Sequence, residues 1–243
     1  EARSAAWSDL IGYVERYVER GRALEVGSSG GHFLRLLEAR GWRPAGVELD
    51  ARAREPHAQR SPAIPAYAGL DDAREGGWDG LDLIVALHTI EHLRAPRAFL
   101  TVAHERLREG GVLMLTTPNG GSIVRWLAGP RWEWWTPPAH LALFTSAGLL
   151  LALRDSGFEV LEVRTRRGDA NGTASNVILG PLRALKRRTR GTERQAISER
   201  SAGRRLSGII DAVFDPPTAS LRKRAYAALL GPELIVIARA VAA

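Results

Sequence analysis

Short apolar runs alternate with amphipathic stretches along the first two thirds of this chain. Each run is too short for a helix and is bounded by glycine, proline or charged residues, which is typical of strands buried on both faces of a sheet. In chain order, the predicted strands are Ala23–Val26, Ala45–Leu49, a short third strand near Tyr67, Leu81–Leu87, Val112–Thr117, Phe158–Arg164 and Glu233–Ala240.

The intervening stretches carry apolar residues at helical spacing. The first, Trp7–Arg20, ends at Gly21, and we interpret it as an N-terminal helix that covers the sheet or its ligand. The later helices are predicted over Phe33–Arg40, over Ala51–Gln59 with a break at Pro56, and over Pro96–Leu107. Strands that alternate with helices predict an α/β fold with a doubly wound, Rossmann-like sheet.

Charge is distributed unevenly along the chain. Residues 1–160 contain 18 Lys and Arg against 20 Asp and Glu, whereas residues 161–243 contain 16 against 7. Residues 164–205 alone contain 12 basic and 3 acidic residues. This basic segment is therefore a candidate for docking on an anionic membrane surface, for contacts to nucleic-acid phosphate, or for a solvated lid.

The chain contains no cysteine, which excludes disulfides, thiolate nucleophiles and Cys-ligated zinc. No apolar run approaches the roughly 20 residues that a membrane-spanning helix needs. Both features favour a cytoplasmic protein, and the basic segment 164–205 would allow peripheral attachment to a membrane.

The stretch Ala23–Leu34 (ALEVGSSGGHFL) joins a predicted strand, a glycine-rich turn and the start of a helix. Glycines let the backbone approach a ligand closely, and a helix start offers unpaired N–H groups. The spacing Gly27-x-x-Gly30-Gly31 differs from the G-x-G-x-x-G of dinucleotide sites. Glu25 lies two residues before the first glycine, where a carboxylate suits a ligand with a cationic amino group better than a diphosphate.

A second acid, Glu48, stands near the end of the second predicted strand, 21 residues after Gly27. An acid at this distance accepts hydrogen bonds from ribose hydroxyls. Both S-adenosylmethionine (SAM) and NAD carry a ribose, so Glu48 supports an adenosyl ligand without choosing between the two.

The glycine-rich turn resembles motif I, [E/D]-x-G-x-G-x-G, of the class I SAM-dependent methyltransferases. Glu25, Gly27 and Gly31 fit this motif, and Ser29 replaces its middle glycine. The run LREGGVLMLTTPN at residues 107–119 resembles the L-[KR]-x-G-G-x-[LF]-x-[IL]-x-x-P-N run of one methyltransferase subfamily. The resemblance covers roughly residues 20–163 and the final strand.

The resemblance implies a mixed sheet of seven strands in one domain, residues 1–243, with SAM as cofactor and S-adenosylhomocysteine as product. The N-terminal helix lies in residues 1–22, a substrate-covering segment in 118–147, and a basic helical insertion before the last strand in 164–231. The residues implied to bind SAM are Glu25, Gly27, Ser29, Gly31, Glu48, Leu49, Gly69, Leu70, Leu87 and His88.

The segment His88-Thr89-Ile90-Glu91-His92 follows the fourth predicted strand. Its H-x-x-E-H pattern also occurs in inverzincin proteases, but a protease needs the pair on a long helix with a distant ligand. Here the segment lies where a doubly wound sheet opens its ligand crevice.

Together with the distant His140, this segment resembles the metal-binding set of ubiquinone-biosynthesis O-methyltransferases and small-RNA 2′-O-methyltransferases. In those families the set consists of an E-x-x-E-H segment and a distant histidine. His88 stands where those families have their first glutamate, and Mg²⁺ prefers oxygen ligands. The sequence therefore assigns no metal ligand and leaves a divalent metal open. His92 or His140 is predicted to act as general base, because imidazole titrates near neutral pH.

Four tryptophans lie in the predicted substrate-covering segment: Trp126, Trp132, Trp134 and Trp135. They are predicted to contact an apolar or aromatic acceptor, although packing of the segment would also explain them. We therefore expect a SAM-dependent methyltransferase that acts on a small or lipophilic metabolite, most simply by O-methylation of a small-molecule acceptor. The alternatives are an RNA 2′-O-methyltransferase that uses the basic insertion, and a non-catalytic SAM-binding or lipid-surface interaction protein. A nicotinamide enzyme fits least, and the oligomeric state stays open.

Overall fold

The structure, a computed structural model, describes residues 2–166 and 231–242. Most of the predicted insertion 164–231, and with it the basic segment 164–205, lies outside the described residues. The chain divides into two compact units. Unit 1 comprises residues 1–117, 147–163 and 235–243, and unit 2 comprises residues 118–146 and 164–234. The single domain and its three predicted divisions stay predictions.

Seven strands form one sheet in the order β3-β2-β1-β4-β5-β7-β6. Four neighbouring pairs are parallel: β1 with β2, β1 with β4, β2 with β3, and β4 with β5. The strands are β1 Arg22–Val26, β2 Arg43–Val47, β3 Ala66–Tyr67, β4 Leu81–Leu87, β5 Leu107–Pro118, β6 Phe158–Arg166 and β7 Glu233–Ala240. This order confirms the predicted doubly wound sheet, whose direction of winding reverses between β1 and β4.

Helices connect most of the strands. They are α1 Ala2–Val14, α2 His32–Ala39, α3 Ala51–Arg60, α4 Leu70–Glu75, α5 Pro96–Arg106, α6 Ile123–Ala128 and α7 Ser146–Asp155, with short 3₁₀ turns at Ile90–His92 and Gly129–Arg131. Among the described residues, no helix combines the length and the apolar character that crossing a bilayer requires.

The central strands are almost completely buried, as their apolar sequences predict. Leu83 and Val85 of β4 pack in one cluster with Ile11 of α1 and Phe33 of α2. These positions lie on one face of the sheet because side chains alternate along a strand. The core therefore fixes the strands whose ends carry the candidate site.

The N-terminal helix ends earlier than predicted. We expected Trp7–Arg20, whereas α1 ends at Val14. Beyond it, the Tyr17 N–H donates to the carbonyl three residues back instead of four, so the helix tightens into a turn. The Glu15 carboxylate accepts bonds from Arg20, Arg40 and the Trp42 indole, and these contacts draw the chain away from the helix axis.

Two other boundaries differ from the sequence predictions. Helix α3 continues through Pro56 to Arg60, although proline was expected to break it. Strand β5 begins at Leu107, earlier than expected, because Gly110 adopts a φ of 75°. The pairing with β4 shifts its register at this point, so the glycine lies within the strand instead of before it.

We expect Ile84→Ala in β4 to destabilise the protein by about 2–5 kcal/mol, because the side chain is fully buried and its loss leaves a cavity. Leu151→Ala is the matched control, since Leu151 of α7 is 53% exposed and should cost under about 0.5 kcal/mol. Urea unfolding of both variants measures the difference. Equal midpoints would contradict the assigned position of β4 in the core.

Candidate active site

The predicted ligand residues gather at one edge of the sheet. The glycine-rich turn follows β1, Glu48 and Leu49 follow β2, and residues 88–92 follow β4. These strands are neighbours and parallel, so their carboxyl ends meet at the same edge. In open α/β sheets this edge, at the point where the winding reverses, forms the ligand crevice.

The glycine-rich turn is held by the end of β2. The Val47 carbonyl accepts the N–H groups of Gly27 and Ser28 at 2.8 and 3.1 Å. Three residues of the turn have positive φ: Gly27 at 80°, Ser29 at 46° and Gly31 at 70°. This conformation favours glycine at the first and last positions and strains the serine between them.

Side chains of the protein itself pack against two of these glycines. A Cβ on Gly27 would lie 2.3 Å from Thr89 Oγ1, and one on Gly31 would lie 1.7 Å from His57 Nδ1. His57 is fully buried, and its Nε2 lies 2.9 Å from the Ile64 carbonyl oxygen. The glycines are thus required by packing as well as by any ligand. No sequence pattern pointed to His57 or Thr89.

Glu25 is a buried acid at the edge of the crevice. Its side chain is 4% exposed, and Oε2 has no hydrogen-bond partner among the described residues. Burial, and secondly the neighbouring Glu48 carboxylate, raise the pKa of Glu25 well above its usual value. An unpaired buried carboxyl is costly to a fold, and an amino cation is the kind of ligand that would compensate it.

Glu48 braces the glycine-rich turn. Its Oε2 accepts the Ser29 N–H at 2.9 Å, and its Oε1 accepts the Asp50 N–H at 2.9 Å. The first bond explains how a serine is held at positive φ where the motif has a glycine. Each carboxylate oxygen retains a further lone pair for a hydroxyl donor.

The remaining predicted cofactor residues lie at or just after the carboxyl ends of β2, β3 and β4. Leu49 is 85% exposed, whereas Gly69, Leu70, Leu87 and His88 are half-buried. Together with Glu25 and Glu48 they offer an acid for an amino group, an acid for ribose hydroxyls and apolar side chains for a flat base. This donor set fits SAM.

The segment after β4 contains a second buried acid. Glu91 is fully buried, and its Oε2 accepts a hydrogen bond from Thr117 Oγ1 at 2.9 Å. Its Oε1 lies 3.3 Å from Nδ1 of His88. Oε2 is thus hydrogen-bonded, whereas Oε1 lies within ion-pair distance of His88 without a hydrogen bond among the described residues. His92 lies on the same 3₁₀ turn and is exposed.

Unit 2 contains the four tryptophans and His140. Trp132 is buried in a small core with Val124 and Ala128, so packing accounts for its position. Trp134 stacks on the His140 ring with centroids 5.9 Å apart, and its carbonyl oxygen lies 2.7 Å from His140 Nδ1. The other two tryptophans are exposed: Trp126 by 76% and Trp135 by 49%.

The Pro118-Asn119 pair, which ends the methyltransferase-like run at residues 107–119, also has a structural role. Asn119 is fully buried, and its side-chain amide donates to the Gly231 carbonyl at 2.8 Å. Its backbone N–H donates to the Pro232 carbonyl at 2.8 Å. The asparagine therefore ties the end of β5 to the residues that precede β7.

Comparisons with known proteins show the family and the fold of the chain. A family described as a methyltransferase domain, Methyltransf_23, matches residues 1–163. The ubiquinone biosynthesis O-methyltransferases of two Cereibacter sphaeroides strains are 24% identical over 147 residues. That match covers 53% of this chain and 60% of each relative, so the chain spans less than two thirds of the relatives' length.

Solved structures share the fold. A SAM-dependent methyltransferase from Archaeoglobus fulgidus gives a TM-score of 0.59 at 17% identity, covering 98% of this chain and 94% of that chain. A Thermotoga maritima protein described as a possible histamine N-methyltransferase gives 0.55 at 16% identity, covering 96% and 89%.

We expect Glu25→Gln to stabilise the free protein at neutral and higher pH. The folded chain holds the Glu25 proton above the ordinary pKa of 4.5, whereas the unfolded chain releases it. Stability of the wild type therefore falls as pH rises from 4.5 through the raised pKa, and the glutamine variant lacks this fall.

Urea unfolding at a series of pH values measures this effect, with Glu38→Gln at an exposed site of α2 as control. The stabilisation by Glu25→Gln should shrink as the pH approaches 4.5. A variant less stable than wild type at neutral pH would mean that Glu25 is ionised and paired.

Proposed function

Because this chain belongs to the class I SAM-dependent methyltransferases, we propose that it methylates a hydroxyl group of a small or lipophilic metabolite. The observation that supports SAM binding is the buried, unpaired Glu25 carboxyl beside the glycine-rich turn. When bound, SAM supplies a methyl group activated by a sulfonium. The protein must then align the acceptor with that methyl group and remove any proton that the nucleophile carries.

The residues that would hold SAM divide by chemistry. Glu25 would bind the amino group, and Glu48 would accept hydrogen bonds from the ribose. The turn residues Gly27, Ser29 and Gly31 would supply close backbone contacts. The adenine would lie beside Leu49, Gly69 and Leu70, and the methionine end would lie beside Leu87 and His88.

A hydroxyl acceptor is supported by the two histidines that the sequence proposes as general base. O-methylation requires a proton acceptor, and the sequence proposes His92 and His140 for it. The contact of His140 Nδ1 with the Trp134 carbonyl fixes a proton on Nδ1, which leaves Nε2 as the basic nitrogen. The Cereibacter relatives are ubiquinone biosynthesis O-methyltransferases, and this similarity supports a hydroxyl acceptor.

Lipophilic character of the acceptor is supported by the exposed side chains of unit 2. Ile123, Trp126, Leu127, Trp135 and Leu141 are each at least 39% exposed. Exposed aromatic and aliphatic groups at this density are unusual on a surface that contacts only water. We propose that Trp126 and Trp135 contact the acceptor, with Trp134 and Trp132 supporting them from behind.

A second candidate function rests on the charge of residues 164–205. An RNA 2′-O-methyltransferase would use these basic residues to bind phosphate, and its RNA affinity would fall steeply with salt. The same basic residues would also allow a cytoplasmic enzyme to bind an anionic membrane surface. Retained SAM affinity without turnover of any acceptor would favour a non-catalytic SAM-binding protein.

Calorimetric titration tests the cofactor site. We expect wild type to bind SAM and S-adenosylhomocysteine but not NAD. Loss of a charged hydrogen bond at Glu25→Gln or Glu48→Ala should weaken SAM binding about tenfold or more. Binding by wild type should also release a proton from Glu25, because a bound cation favours its ionised form.

Proton release is measured as a dependence of the binding enthalpy on the ionisation enthalpy of the buffer. Glu25→Gln should lose this dependence, and Glu38→Gln should keep it. Unchanged SAM affinity in both Glu25→Gln and Glu48→Ala would contradict the proposed cofactor site.

Trp126→Ala tests the acceptor contact. Because Trp126 is largely exposed, the variant should retain the stability of wild type. We expect its KM for an alkyl-substituted catechol to rise about tenfold, while SAM affinity and the KM for unsubstituted catechol change little. A variant with unchanged KM for both catechols would show that Trp126 does not contact the acceptor.

A further inference from the structure

The backbone at His88 is in an unusual conformation. Its φ is 49°, in the left-handed region that few residues other than glycine adopt. The strain is held in place because the His88 N–H donates to the Thr116 carbonyl of β5 at 3.0 Å. Such strain often marks functional sites. It places the imidazole directly after β4, at the crevice edge of the sheet.

Glu91 forms a buried support for this imidazole. Its Oε1 lies 3.3 Å from His88 Nδ1, while Thr117 Oγ1 donates to its Oε2 at 2.9 Å. The carboxylate is fully buried, whereas the His88 side chain is 31% exposed. Glu91 Oε1 and His88 Nδ1 lie within ion-pair distance without forming a hydrogen bond among the described residues. A buried carboxylate at this distance stabilises the positive charge that forms when Nε2 gains a proton.

We propose that His88 is the catalytic base of the reaction, with Glu91 as its positioning residue and Thr117 holding Glu91. This inference rests on the proposed O-methylation. The acceptor O–H bond breaks and its proton goes to His88 Nε2, while the oxygen forms a bond to the methyl carbon. The electron pair of the broken carbon–sulfur bond stays on sulfur, and His88 later releases the proton to solvent.

The surroundings favour His88 over the two histidines that the sequence suggested. A buried carboxylate supports an imidazolium more strongly than the backbone carbonyl that contacts His140 Nδ1. His92 is exposed to solvent, which weakens any charge interaction it makes. Glu91 lies within ion-pair distance of His88, and Thr116 and Thr117 of β5 supply neutral hydroxyls nearby.

NMR of ¹⁵N-histidine-labelled protein tests the pairing without turnover. The His88 signal is assigned by its loss in His88→Asn, since asparagine tolerates positive φ. We expect Glu91→Gln to lower the midpoint of the His88 titration by about one pH unit, and Thr117→Val to lower it less. An unchanged midpoint in folded Glu91→Gln would overturn the role of Glu91.

Kinetics with an alkyl-substituted catechol test the base. We expect His88→Asn to lower kcat about 100-fold or more and to abolish the acidic limb of the pH–rate profile. Affinity for S-adenosylhomocysteine is measured in parallel, and kcat should fall by a much larger factor than this affinity, because the base acts on the acceptor proton. His104→Asn, at the other end of the sheet, should leave kcat unchanged, and EDTA should not affect the wild type.

The outcomes separate this inference from the proposed function. Active wild type with an unaffected His88→Asn, or loss of the acidic limb only in His92→Asn or His140→Asn, would overturn His88 as base. Activity that EDTA abolishes and a divalent metal restores would overturn it too. Wild type that binds SAM but methylates only nitrogen or carbon acceptors would overturn the proposed O-methylation, and the base role with it.

Discussion

The candidate site depends on how the end of β2 holds the turn after β1. The Val47 carbonyl accepts two N–H groups of the glycine-rich turn, and the next residue, Glu48, accepts a third from Ser29. These bonds fix a backbone with positive φ at three of five positions. Because β1 lies between β2 and β4, the sheet places this turn beside the segment that contains His88.

Two buried acids give this edge of the sheet its chemistry. Glu25 Oε2 has no hydrogen-bond partner among the described residues, whereas Glu91 accepts a hydrogen bond from Thr117 through Oε2 and lies 3.3 Å from His88 Nδ1 through Oε1. The difference in surroundings indicates different uses: an acid without a neighbouring cation is suited to bind a cationic ligand, and an acid beside a histidine is suited to stabilise its imidazolium. Both reduce stability relative to an apolar core, as functional sites commonly do.

The tryptophans of unit 2 include both buried core residues and exposed surface residues. Its four tryptophans lie within ten residues, yet Trp132 is a core residue and Trp126 is exposed to solvent. Helix α6 explains the division, because Val124 and Ala128 face the small core while Trp126 and Leu127 lie on the other side. The apolar character of the segment therefore reflects packing on one side and an available contact surface on the other.

The sequence by itself predicted the seven strands, the doubly wound sheet and helices α1, α2, α3 and α5, because apolar runs between glycine-rich turns allow few other folds. It also indicated the cofactor from Glu25, Gly27 and Glu48. It did not predict α4, α6 and α7. Only the tertiary structure decided that His57 and Thr89 fill the space beside the glycines, that α1 ends at Val14, and that Glu91 contacts His88. Those contacts join residues from different strands and loops, and their distances depend on how the sheet packs rather than on any local pattern.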